Sequence, residues 1–139
     1  MYKIVFSVCL LILLSHTAWA KDTNAISTEV LLKTTSSWNG DVLPAYPDGQ
    51  PEVTILRITI PPHTQLPIHK HPVINAGILV KGELTVMTEG KDVLHVKEGE
   101  LLAELVNKWH YGKNESDEPA VIMVFYAGIQ GEALTIKKK

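Results

Sequence analysis

From residue 52 onward the chain breaks into short apolar, β-branched runs separated by turn residues every eight to twelve positions, and no stretch carries helical periodicity. The runs fall at residues 53–60, 74–80, 83–88, 92–96, 101–106, 120–126 and 133–136. Pro61-Pro62 closes the first. Lys81-Gly82 reads as the turn of a hairpin between the second and third, Glu89-Gly90 as the turn into the fourth, and Glu98-Gly99 as the lead into the fifth. Without a helix to cover a sheet, each apolar face must close on another sheet or on itself. The expected architecture is therefore all-β, a single sandwich or barrel over residues 53–136.

The N-terminal third follows other rules. Lys3, an apolar run over residues 4–14 and Ala18-Trp19-Ala20 have the order of a secretory signal peptide over residues 1–20, cleaved after Ala20. The run is about half of the roughly 20 residues a membrane span needs, so the expected mature chain has no membrane span and resides in the periplasm or outside the cell. The sole cysteine, Cys9, leaves with that segment, so no disulfide is available and stability must come from an ordinary core. Residues 21–52 are rich in breakers (Asn39-Gly40-Asp41, Pro44, Pro47-Asp48-Gly49, Pro51), yet hold Trp38, Val42, Leu43 and Tyr46. They read as an arm anchored across the domain by those four residues, with Trp38 a packing side chain. Without Lys3 there are 12 basic residues against 15 acidic ones and no basic stripe, which argues against nucleic acid as a partner. Lys137-Lys138-Lys139 reads as a solvated tail.

Chemistry enters with the histidines. His69-Lys70-His71 lies between Pro67 and Pro72, so its backbone is extended, and residues two apart on a strand face the same way. Both imidazoles can then address one object while Lys70 points away. His110 follows the turn-like Asn107-Lys108-Trp109 and precedes Tyr111-Gly112-Lys113-Asn114, which reads as another loop.

At these positions the chain resembles the cupin family. The family's first motif, a glycine, five residues, HxH, three or four residues, a glutamate, six residues and a glycine, is matched by His63, His69-Lys70-His71, Asn75 and Gly82. The second, a glycine, five residues, Pro-x-Gly, two residues, a histidine, three residues and an asparagine, is matched by Gly99, Leu105-Val106-Asn107, His110 and Asn114. The departures are His63 for a glycine, Leu105 and Asn107 for the Pro and Gly, and Asn75 for the glutamate ligand.

The resemblance implies a double-stranded β-helix (cupin) barrel preceded by the N-terminal arm. It also implies one divalent metal ion held inside by His69, His71 and His110, with Asn75 as a fourth candidate ligand, and pairing as a homodimer through the arm or through stacked sheets. With no carboxylate at position 75, three neutral imidazoles favour Fe, Zn or Ni over Mn. Two functions follow. One is a metal-dependent enzyme acting on a small molecule as a dioxygenase, isomerase or lyase, with Asn75 and Glu104 as catalytic candidates. The other is a noncatalytic binding or sensor protein for a metal or small ligand. Glu104 interrupts an apolar run and is expected on the outer face; turned inward, it would be a ligand, an orienting partner or a general base. His63 and His95 read as surface residues, Trp109 and Tyr111 as outward or mouth-lining, Gln65 as near enough to reach a ligand, and one of Phe125 and Tyr126 as core.

Overall fold

The structure is a computed structural model that describes residues 25–139. The expected signal peptide lies outside the described residues. Ten strands run β1 Pro51–Ile60, β2 Thr64–Gln65, β3 His69–Lys70, β4 Ile74–Lys81, β5 Glu83–Thr88, β6 Val93–Lys97, β7 Leu101–Ala103, β8 His110–Asn114, β9 Ala120–Ile129 and β10 Ile136–Lys137. No helix among the described residues is long and apolar enough to cross a membrane.

Two sheets face each other as a double-stranded β-helix. One has the order β1-β9-β4-β7; the other has the order β10-β3-β8-β5-β6, with β2 also on β8. Alternation places Leu79, Leu84, Val86, Ile122, Val124 and Tyr126 inside, where they pack with Ile60, Val73, Val96, Leu102 and Ala120. Each such aliphatic side chain contributes roughly 1.5–3 kcal/mol by leaving water. Of Phe125 and Tyr126, Tyr126 is the core residue.

Several expectations are corrected. β4 and β5 do not form a hairpin. β4 pairs with β7 and β9, β5 with β6 and β8, and the chain crosses from one sheet to the other at Gly82. That residue has φ +79, and a Cβ there would sit 2.9 Å from the Pro119 carbonyl oxygen, so the corner admits only glycine. Residues 111–114 are not a loop but lie in β8, a central strand. Its Gly and Asn lack the β-branched signature, and its long-range partners decide its state. The run at 101–106 is strand only to Ala103, and that at 133–136 only from Ile136. In the arm, Ser36 bridges Val42, the Trp38 N–H donates to the Ala103 carbonyl, and Trp38 packs on the core. Val42 and Tyr46 are 80% and 74% exposed, so neither side chain is an apolar anchor against the described residues. The β5–β6 hairpin forms as expected.

The motif departures have a backbone explanation. His63 and Asn107, which stand where the family motif has glycine, have φ +51 and +56. The turn geometry is thus kept with L-residues in the left-handed region, which Asn and His tolerate better than most. Asn114 is fully buried. Its Nδ2 donates to the carbonyls of Ile60 (3.1 Å), Pro61 (3.1 Å) and Glu118 (2.8 Å), and its Oδ1 accepts from Ser116 N (3.1 Å) and Oγ (2.8 Å). It ties the end of β1 to the β8–β9 turn. Among the motif residues its work is structural.

Candidate metal centre

Each histidine is aimed by a backbone carbonyl. His69 Nδ1 lies 2.8 Å from the Pro67 carbonyl oxygen and His110 Nδ1 2.8 Å from that of Lys108, both two residues upstream; His71 Nδ1 lies 2.9 Å from the Leu134 carbonyl oxygen. A carbonyl only accepts, so each Nδ1 carries the proton and each Nε2 is left with a free lone pair. β3 and β8 pair with His69 opposite His110, and ligand-type nitrogens of His69, His71 and His110 all lie within 4.8 Å of one another. The ring centroids are 4.5–5.1 Å apart. Outer hydrogen bonds that fix the tautomer and plane of convergent imidazoles are the usual support of a metal-holding set.

Electrostatics keeps the three rings neutral. Burial lowers all three pKa values against the raising effect of the carbonyl hydrogen bonds, and takes His71 down to about 4. An unfolded imidazole titrates near 6.5, so below that pH the unfolded chain binds protons that the folded one refuses. This contribution to stability is fully present above pH 6.5 and is lost as pH falls toward 4. For His71 alone it is on the order of 3 kcal/mol. Urea unfolding of metal-free protein should therefore show stability falling steeply from pH 6.5 to 4.5. A flat profile would contradict three neutral imidazoles, two buried and one half-buried.

Glu104 corrects the expectation of an outward side chain. It is buried, and Oε2 lies 3.8 Å from His110 Nε2, too far for a hydrogen bond, and has no partner. Burial pushes its carboxyl up to about 7, against the opposing influence of His69. Its backbone is held from both sides: the N–H donates to the Asn75 carbonyl (3.0 Å), and the carbonyl accepts from Ser37 Oγ of the arm (2.8 Å). Asn75 is buried on β4 opposite Tyr126. Its Nδ2 donates to the Val73 carbonyl at 3.2 Å, while Oδ1 has no partner. Glu104 Oε2 and the lone pairs of His69, His71 and His110 form an acceptor-rich set on the cavity wall, which a cation or an ordered water would satisfy; Asn75 does not line that cavity.

The remaining candidates separate. His63 is exposed and lies 2.9 Å from Asp117, and His95 is exposed beside Thr85. Gln65 is exposed and does not line the cavity. Tyr111 donates its hydroxyl to Met87 Sδ, and Trp109 lies under the ammonium groups of Lys70 and Lys138. Sequence reasoning missed the C-terminal tail. β10 pairs with β3, which brings Lys137 opposite His69 and Thr135 Oγ1 to 3.3 Å from His71 Nδ1. A two-residue strand paired across more than sixty positions leaves no local signal. The Tyr126 ring lies 5.5 Å from His71, with its hydroxyl pushed up to about 12 by burial and by the Glu104 charge.

These side chains end a cavity of about 300 Å³ inside the barrel. His69, His71, His110, Glu104 and Tyr126 line it, together with aliphatic residues of β1, β5 and β9. A family model described as Cupin domain matches residues 56–126. The chain belongs to the cupin family. No curated protein matches this cupin.

Among solved structures, an oxalate oxidase in complex with the substrate analogue glycolate is 22% identical, with a TM-score of 0.52 over 61% of this chain and 45% of that one. A DMSP lyase from Ruegeria pomeroyi is 17% identical, with a TM-score of 0.53 over 62% and 43%. An uncharacterized conserved protein with a double-stranded β-helix domain from Klebsiella pneumoniae is 19% identical, with a TM-score of 0.53 over 67% of this cupin and 89% of that chain. This cupin spans less than half the length of the first two. At such identities the likeness is one of fold.

Proposed function

We propose that this cupin is an exported, metal-dependent enzyme acting on a small molecule inside the barrel, by dioxygenase, isomerase or lyase chemistry. The observation that carries the reading is the set of three Nδ1-to-carbonyl contacts that turn the Nε2 atoms of His69, His71 and His110 toward one another. In this reading those atoms hold one divalent transition metal. A donor set of neutral nitrogens suits Fe, Zn or Ni better than Mn. Bound there, the metal would supply Lewis acidity at an open coordination position.

The chain's own residues supply the rest. Glu104 holds or accepts a proton at Oε2, and its pKa near neutrality suits that work. Tyr126 stays protonated and can donate from its hydroxyl. The aliphatic wall excludes bulk water. A noncatalytic carrier has no need of an unpaired buried carboxyl beside its ligands, and this favours turnover over storage. The export signal over residues 1–20 supports a periplasmic or secreted location. Pairing as a homodimer is supported by the outer face of the four-stranded sheet, where Ile55 lies opposite Phe125 and both are exposed.

The test is elemental analysis of protein purified from periplasm without tag or chelator. Near-stoichiometric iron, zinc or nickel is expected. Iron would direct substrate screening to oxygen uptake, and zinc or nickel to lysis and isomerisation. An empty protein that also takes up no metal on titration would overturn the reading.

A further inference from the structure

The register of the two sheets sorts the cavity into layers. The histidine layer holds His110 and, opposite Asn75, Tyr126. Two residues further along the strands, roughly 7 Å deeper, Gly112 lies opposite Val86, and Val124 opposite Leu56. One more step reaches Leu84, Ile58 and Ile122; all six of these aliphatic residues line the cavity. At Gly112 the second layer has no space to spare, since a Cβ there would press on the side-chain ends of Leu66 (3.3 Å) and Leu84 (3.4 Å).

The polar groups thus sit at one end and hydrocarbon fills the other. Exposed lining residues identify the rim: Lys137 and Thr135, on the tail paired to β3, carry its polar part. Lys137 has no carboxylate within ion-pairing distance among the described residues. At about 30 Å³ per water-sized group, a 300 Å³ chamber takes roughly ten non-hydrogen atoms.

We infer that the site takes a compact amphipathic monocarboxylate, with its carboxylate at the histidine layer beside Lys137 and a branched alkyl or phenyl body among Leu56, Val86, Gly112 and Val124. This rests on the proposed function for the identity of the pocket and adds the substrate class. A sugar or polyol would strand hydroxyls against six aliphatic side chains, and a dicarboxylate would bury a second charge there. Either loses more on desolvation than the chamber returns. The apolar body, in contrast, gains what its surface loses in contact with water.

The test is calorimetric titration of full-length mature protein, zinc-loaded and metal-free, with phenylacetate, 4-methylvalerate, acetate and oxalate, zinc content being measured on the same samples. Phenylacetate and 4-methylvalerate are expected to bind at least tenfold more tightly than acetate or oxalate. Gly112→Val should weaken phenylacetate by tenfold or more and leave acetate unchanged. Should that variant fail to fold, Leu56→Ala reads the same chamber in the other direction, by admitting 2-naphthylacetate that the parent rejects. Lys137→Ala should weaken the carboxylates and leave benzyl alcohol unaffected.

Tighter binding of oxalate than of phenylacetate, or a folded Gly112→Val that keeps full phenylacetate affinity, would overturn the assignment. Zinc uptake with oxalate preferred defeats the substrate class alone. Phenylacetate selectivity in a protein that takes up no metal defeats the metal reading alone.

Discussion

Replacing His110 with Ala is expected to lower metal affinity by more than about a hundredfold, because altering only an outer partner of a ligand already costs 10–100-fold and this change removes a ligand atom. His110 is central to the geometry: it pairs with His69 across β3–β8, it is almost completely buried, and its ring lies 4.5 Å from that of His69 and 5.1 Å from that of His71. The barrel should survive, since the core of Leu79, Leu84, Val86, Ile122 and Val124 does not depend on it. The matched control is His63→Ala, whose ring is exposed and pairs with Asp117. Competition against a chromogenic chelator reads both variants. Unchanged affinity in His110→Ala, with the melting curve retained, would remove the three-histidine centre.

Glu104→Gln is expected to reduce kcat by roughly 10²–10⁴, the usual range for losing a positioned proton carrier. A second effect does not depend on any substrate. The folded carboxyl titrates near 7 and the unfolded one near 4.5, so between these values the native state binds the extra proton. That contribution to stability is complete below pH 4.5 and lost as pH rises through 7, opposite in sign to the histidine contribution. In the metal-free wild type the three histidines outweigh it below pH 6.5. Glu104→Gln should remove this opposing loss and so steepen the rise of stability between pH 4.5 and 7. If the variant's pH profile overlays the wild type's, Glu104 is not the buried, protonatable group described.

Much of the centre was legible because it is local. Alternation puts His69 and His71 on one face of an extended segment, and the spacing to Gly82, Gly99, His110 and Asn114 carries the family resemblance with no gap. The direction of Glu104 was not legible. Leu102, Ala103, Glu104 and Leu105 are all buried, since Trp38 and Ser37 of the arm cover the outer side while β7 ends at Ala103. The inside–outside rhythm that sequence reading relies on is thereby erased. The tail was illegible for a related reason: β10 is two residues long, and its role comes from pairing with β3 and from the Leu134 carbonyl that fixes His71.

By itself the sequence determined the all-β class, the six motif positions that match the cupin pattern, and the histidines that can face one object. All of these depend on strand periodicity and on intervals along the chain. Only the tertiary structure decided that β4 and β5 lie in opposite sheets, that Glu104 joins the histidines, and that the last residues close one side of the cavity. The left-handed corner at Gly82 is one residue wide, and the other two features depend on contacts between segments about thirty to sixty-five residues apart. No short-range pattern encodes which distant segment will supply the missing partner.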